Sequence, residues 1–112
     1  MKNLFLGLVI TCLIAGCNST PENAKKLSFK VWGNCGMCKK TIEGSLKDKP
    51  GLLSADWNVK TKQMEVLIDS TKTNSEDVHQ LIASSGYDTD LFKGNDAAYD
   101  NLHACCKYDR KP

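Results

Sequence analysis

The chain has 112 residues, 15 basic and 13 acidic side chains, and a formal net charge of +2. That balance is too weak to argue for nucleic acid or a polybasic membrane patch, and an aromatic content of 7% argues against a base-stacking platform. Hydrophobic residues make up 41%, which supports a folded core in one small domain, so the six cysteines become the feature to explain.

Residues 1–16 read as an export signal. Lys2 gives a positive start, and Leu4 to Ala15 is almost wholly apolar. The run is shorter than the roughly 20 residues a bilayer-spanning helix needs. Leu13-Ile14-Ala15-Gly16-Cys17 resembles the lipobox of bacterial lipoproteins. The resemblance implies cleavage before Cys17, acylation of that residue, and a lipid anchor in the cell envelope facing the periplasm or exterior. An ordinary signal peptide with a chance cysteine, or an uncleaved anchor, are the alternatives. Cys12 would leave with the signal, so Cys35, Cys38, Cys105 and Cys106 remain, in a compartment where disulfides persist. Residues 17–26 are polar and read as a flexible tether.

Leu27, Phe29 and Val31 alternate along a first half-buried strand over 27–32. Gly33 to Gly36 breaks it. Met37, Ile42 and Leu46 fall near helical spacing, with Lys39, Lys40, Glu43 and Lys47 elsewhere on the wheel. Gly44 weakens this helix, and Pro50-Gly51 ends it. Leu53, Ala55, Trp57 and Val59 alternate in a second strand; Met64, Val66 and Ile68 alternate in a third, and the polar stretch between them predicts a hairpin. Thr73 and Glu76 have capping-box spacing before a helix with Val78, Leu81 and Ile82 on one stripe and His79 facing solvent. Gly86 suits the left-handed position that ends it. Tyr87, Thr89 and Leu91 predict a short last strand. The order is βαββαβ, an α+β ferredoxin-like sandwich with two helices on one face of a four-stranded antiparallel sheet and a short C-terminal extension. Met64, Trp32 and Trp57 are expected to pack.

Cys35-Gly36-Met37-Cys38 joins the first strand to the first helix. Two sulfurs at this spacing converge on one ion. Cys38 falls in the first helical turn, where free backbone N–H groups and the dipole favour negative charge, and Lys39 and Lys40 add positive charge. These effects favour thiolate, the form that ligates metal. Thiolates without carboxylate or His neighbours favour soft ions, Cu(I) among biological metals; Hg(II) is similarly soft, and Zn(II) usually needs four ligands.

The loop from Gly33 to Cys38, the βαββαβ order and Ser85-Gly86-Tyr87-Asp88 after the second helix resemble the heavy-metal-associated domain family. The resemblance spans about Leu27 to Leu91 and sets a domain at 27–92. It implies that Cys35 and Cys38 bind the metal and that Tyr87 packs near the site. An aromatic at Tyr87 resembles copper-ATPase and bacterial copper-chaperone domains. The family usually has Met two residues before its first cysteine, as an anchor for the loop; Gly33 stands there, so either Trp32 supplies the anchor or the loop is more mobile.

The tail, 93–112, holds a second soft-ligand cluster. Ala98, Leu102 and Cys105 or Cys106 share one side of a short helix. Folded back, the tail would offer a third or fourth ligand from His103, Cys105 or Cys106. Met37 could add a thioether, although packing is the commoner role. Disulfides are the competing reading, within the tail, between molecules, or between Cys35 and Cys38. The leading expectation is a lipid-anchored, non-enzymatic carrier that captures Cu(I) and passes it by thiolate exchange to a metal-transporting ATPase or another trafficking protein. Alternatives are a periplasmic Hg(II)-binding protein of the same fold, a Zn(II) site from the four cysteines, and a thiol–disulfide oxidoreductase. The last is disfavoured because thioredoxin-like enzymes need a cis-proline facing the site, and the chain has no proline between Pro50 and Pro112.

Overall fold

The computed structural model describes residues 22–112. Residues 1–21, which hold the expected export signal, Cys12, Cys17 and the first part of the expected tether, lie outside the described residues. Among the described residues no helix is long and apolar enough to cross a membrane.

Strand β1 (Ala24–Lys30) starts three residues before Leu27, because Ala24, Lys25 and Lys26 pair through their backbone with Asp69, Ile68 and Leu67. Lys25 and Lys26 stay exposed, so hydrophobic alternation gave no sign of this extension. Strands β2 (Leu52–Trp57) and β3 (Gln63–Asp69) form the predicted hairpin, and the sheet order is β1-β3-β2, all antiparallel. Leu27, Phe29, Trp57, Met64, Val66 and Ile68 are buried in one core. Leu53 is not among them. The pairing steps from Leu52–Ile68 to Ser54–Leu67, leaving Leu53 as an unpaired, exposed bulge residue; an inserted residue of this kind breaks the two-residue period.

Helix α1 (Gly36–Gly44) and helix α2 (Ser75–Ser84) both feed this core, through Ile42 in α1, Leu46 just beyond it, and Val78 and Ile82 in α2. Helix α1 stops at Gly44 and runs on as turns, before Pro50-Gly51 is reached. The cap of α2 is Asn74, not Thr73: its side-chain oxygen accepts the Asp77 N–H at 2.9 Å. Gly86 has φ +101°, the left-handed conformation expected of it. His79 is 2% exposed and does not face solvent. Its ring centroid lies 3.8 Å from that of Phe29, and its Nδ1 lies 2.8 Å from Thr89 Oγ1. Thr89 Oγ1 already accepts the N–H groups of Leu91 and Phe92, so its one proton points to Nδ1 and the ring is neutral there. Burial lowers the His79 pKa, with Lys111 assisting and Asp90 opposing.

The fourth strand is reduced to one antiparallel bridge, Val31 with Thr89. Trp32 N donates to Asp88 O and Asp90 N to Lys30 O. The chain then turns, Thr89 N donating to Phe92 O at 2.8 Å, and Leu91 is 55% exposed. The sheet therefore has three strands, not four. The chain continues through helix α3 (Asp96–Asp100) and a 3-10 turn, Ala104–Cys106, which come back over the end of the domain where β1 meets α1.

Candidate metal centre

The loop after β1 rests on a packed floor. Trp57 is fully buried, and its indole N–H donates to Val31 O at 3.0 Å and Lys62 O at 3.2 Å. A Cβ on Gly33 would lie 2.9 Å from the Trp57 ring and 3.3 Å from Ile42 Cδ1. Glycine is needed here because the indole fills the space above it.

Cys35 is the N-cap of α1, with extended backbone (φ −148°). It makes no formal cap bond, but the backbone N–H groups of Cys38 and then Met37 hold its thiol below the ordinary value. Sequence reasoning placed this effect on Cys38. The first-turn donors favour the cap residue because its side chain is the one that reaches over them. Cys38 is fully buried; the Asn34 N–H donates to its sulfur at 3.4 Å, and its own thiol faces Cys106 O at 3.9 Å. Lys39 is committed elsewhere, to Asp56 Oδ1 (2.7 Å), Glu43 Oε2 (2.8 Å) and Trp57 O (2.6 Å), and Lys40 is exposed.

The tail brings two further sulfurs to the loop. Cys105 Sγ lies 3.4 Å from Met37 Sδ and 3.9 Å from Cys106 Sγ. The Cys105 carbonyl accepts from the Asn34 amide at 3.3 Å and from the Cys35 thiol at 3.7 Å. The Sγ atoms of Cys35, Cys105 and Cys106 all lie within 4.8 Å of one another. Cys38 stands just outside that group, and all four cysteines are free thiols. Cys106 is 2% exposed; burial, then the sulfurs of Cys38 and Cys105, push its pKa up to about 12. His103 is exposed and outside the cluster. Met37 is exposed at the rim, beside an open hollow bounded by Cys35, Cys105, Lys39 and Lys40.

Tyr87 packs beneath the sulfurs, fully buried. Its hydroxyl is the one buried side-chain polar atom among the described residues without a hydrogen-bond partner. Burial, and then the nearby Cys38 sulfur, raise its pKa well above the ordinary value. The Tyr87 ring stacks on Tyr108 at 5.4 Å, and Tyr99 meets Tyr108 edge-on at 5.2 Å. The Tyr108 hydroxyl donates to Gly86 O (2.7 Å) and accepts from Asp88 N (2.9 Å). Asp88 is fully buried, and its carboxylate accepts from Arg110 Nη2 (2.8 Å), Lys111 N (2.8 Å) and Gly94 N (2.6 Å). Burial alone would raise the Asp88 pKa; Arg110 and the two backbone donors outweigh it and hold the group below the ordinary value.

The model of the heavy-metal-associated domain matches residues 34–88. The copper chaperone CopZ of Staphylococcus aureus is 34% identical over 55 residues, covering 49% of this chain and 81% of that protein. The chain belongs to the heavy-metal-associated domain family. The nitrogen fixation protein FixI of Rhizobium meliloti is 33% identical over 72 residues, 61% of this chain; the chain spans only 10% of that relative's length. The solved water-soluble region of the P-type ATPase CopA from Bacillus subtilis is 30% identical with a TM-score of 0.56, over 59% of this chain and 44% of that one.

Against the family's usual methionine anchor, Trp57 of β2 supports the loop, and not Trp32. Trp32 is half-buried beneath Lys30, whose Nζ is 4.5 Å from its ring centroid. The residues that sequence reading missed are those that seat the tail: Asp88, Gly94, Tyr108 and Arg110. Their partners are as much as 23 positions apart, beyond any helical or strand period. A buried-type tyrosine and a basic residue just after a cysteine pair were the available signals.

Proposed function

We propose that this domain captures a soft monovalent metal ion, Cu(I), at the Cys35–Cys38 loop and hands it to a partner by thiolate exchange. The observation that carries the reading is the gathering of unpaired cysteine sulfurs at the N-terminus of α1, with no His or carboxylate among them. Soft sulfur donors select soft ions, and the first-turn N–H groups favour the thiolate form of Cys35. The 34%-identical relative is named a copper chaperone, which favours Cu(I) over Hg(II). The P-type ATPase likeness supports a partner with a domain of the same kind, whose cysteines share the ion in passing. No bond to carbon is made or broken, so the role is carriage and not enzymatic turnover. A lipid anchor at Cys17 would place the handover at the cell envelope.

The test is anaerobic competition of the reduced full-length chain, in detergent, with a chromogenic Cu(I) chelator. One tight site is expected, weakened at least a hundredfold by Cys35→Ser together with Cys38→Ser. Equal competition by that double variant would overturn the reading.

A further inference from the structure

We infer that the C-terminal tail is a sulfur-bearing cap: Cys105 and Cys106 join Cys35 around the cargo ion, and the ion leaves only when the tail lifts. This rests on the soft-metal reading above and deepens it by naming how the site is closed.

The spacing is what a three-sulfur site requires. Metal–thiolate bonds of about 2.3 Å place three sulfurs roughly 4.0 Å apart around a trigonal ion. Cys105 Sγ and Cys106 Sγ are 3.9 Å apart, and Cys35 Sγ lies within 4.8 Å of both. Movement of less than about 1 Å completes the triangle. The Met37 thioether, 3.4 Å from Cys105 Sγ, stands at the rim, beside the hollow bordered by Cys35 and Cys105. Cys38, buried beneath and touching the Cys106 carbonyl, becomes a ligand of the two-sulfur form when the tail is gone.

The cap is held by its own anchor, not by its cysteines. Tyr108 is buried between Tyr87 and Tyr99, and its hydroxyl bonds the backbone at Gly86 and Asp88. Arg110 joins Asp88, Asp96 (2.6 Å) and Gly94 O (2.6 Å). Glycines permit the fit: a Cβ on Gly86 would meet Tyr99 N at 2.8 Å, and one on Gly94 would meet Gly86 C at 2.7 Å. Residues 104–106 therefore lie across Asn34, Cys35 and Cys38, covering sulfur that an incoming partner thiolate must reach. Retention and release become separable: the cysteines set how many sulfurs hold the ion, and the anchor sets how often the site opens.

The experiment loads the reduced full-length chain with one equivalent of Cu(I) in detergent. It counts sulfurs by copper K-edge X-ray absorption and times transfer to bathocuproine disulfonate. Three sulfurs are expected for the native chain and two for Cys105→Ser with Cys106→Ser, with transfer at least tenfold faster. Arg110→Gln, which removes no sulfur, should keep three and still transfer severalfold faster. Two sulfurs in the native chain, or an unchanged count in the serine variant, would overturn the cap while leaving Cu(I) binding intact. Unchanged transfer in both variants would overturn its gating role. Absence of bound copper in the native chain would overturn the soft-metal reading and the cap together.

Discussion

Tyr108→Phe removes a single oxygen from the tail anchor. The ring keeps its stack on Tyr87 and its edge contact with Tyr99, and the Tyr99 hydroxyl still donates to the Tyr108 carbonyl at 2.8 Å. What is lost is a pair of buried hydrogen bonds, to Gly86 O at 2.7 Å and from Asp88 N at 2.9 Å. Each orphaned buried group costs roughly 1–3 kcal/mol, and local relaxation recovers part, so tail closure should weaken by about 2–4 kcal/mol. That corresponds to roughly 30- to 1,000-fold faster amide exchange at tail-protected sites. The assay is hydrogen exchange read at Asp88, Cys106 and Tyr108, with the β3 amides as internal reference. Local opening predicts loss of protection at the first three and little change in β3. Protection at Asp88 and Cys106 within twofold of the native chain would refute the claim that this hydroxyl seats the tail.

Gly33→Ala should destabilise the domain by about 1–3 kcal/mol in urea unfolding, because the new methyl meets the Trp57 ring at 2.9 Å; unchanged stability would mean the indole does not fill that space. His79 is held neutral by burial, with its folded pKa below the unfolded 6.5. The unfolded state therefore binds more protons as pH falls below that value, and stability should decline from about pH 6.5 downward. His79→Gln, whose amide oxygen can accept from Thr89, should flatten that decline in pH-dependent melts. Asp88 has a lowered folded pKa, so its contribution is complete above the ordinary 3.8 and lost as pH falls through the lower folded value. Asp88→Asn should weaken tail protection at neutral pH and abolish its acid-side loss.

Much of the fold was legible where burial is periodic. Met64, Val66 and Ile68 alternate because β3 is the central strand, paired on both sides with one face on the core. The placement of Cys35 and Cys38 at the start of α1 was equally readable, since their spacing is local. Leu53 misled because a bulge resets the alternation. His79 misled because a polar ring beside Val78 reads as surface, whereas Thr89 satisfies its buried nitrogen. The fourth strand misled because Tyr87, Thr89 and Leu91 alternate by residue type while Thr89 binds the turn that ends the pairing. The tail's return to the loop was readable as chemistry, from its cysteines. Its anchor depends on Asp88 and Arg110, 22 residues apart with α3 and the 3-10 turn between them, and nothing local encodes that.

Capture of a soft ion by the cysteine sulfurs at the N-terminus of α1 is the step on which the proposed function depends. Its most direct test is stepwise anaerobic Cu(I) titration of the reduced full-length chain, followed by near-ultraviolet absorbance. A thiolate-to-copper charge-transfer band that grows to a sharp endpoint and is lost when Cys35, Cys38, Cys105 and Cys106 are all replaced by serine is the predicted result. A native chain that takes up Cu(I) without that band, or a band that survives the fourfold replacement, would contradict it.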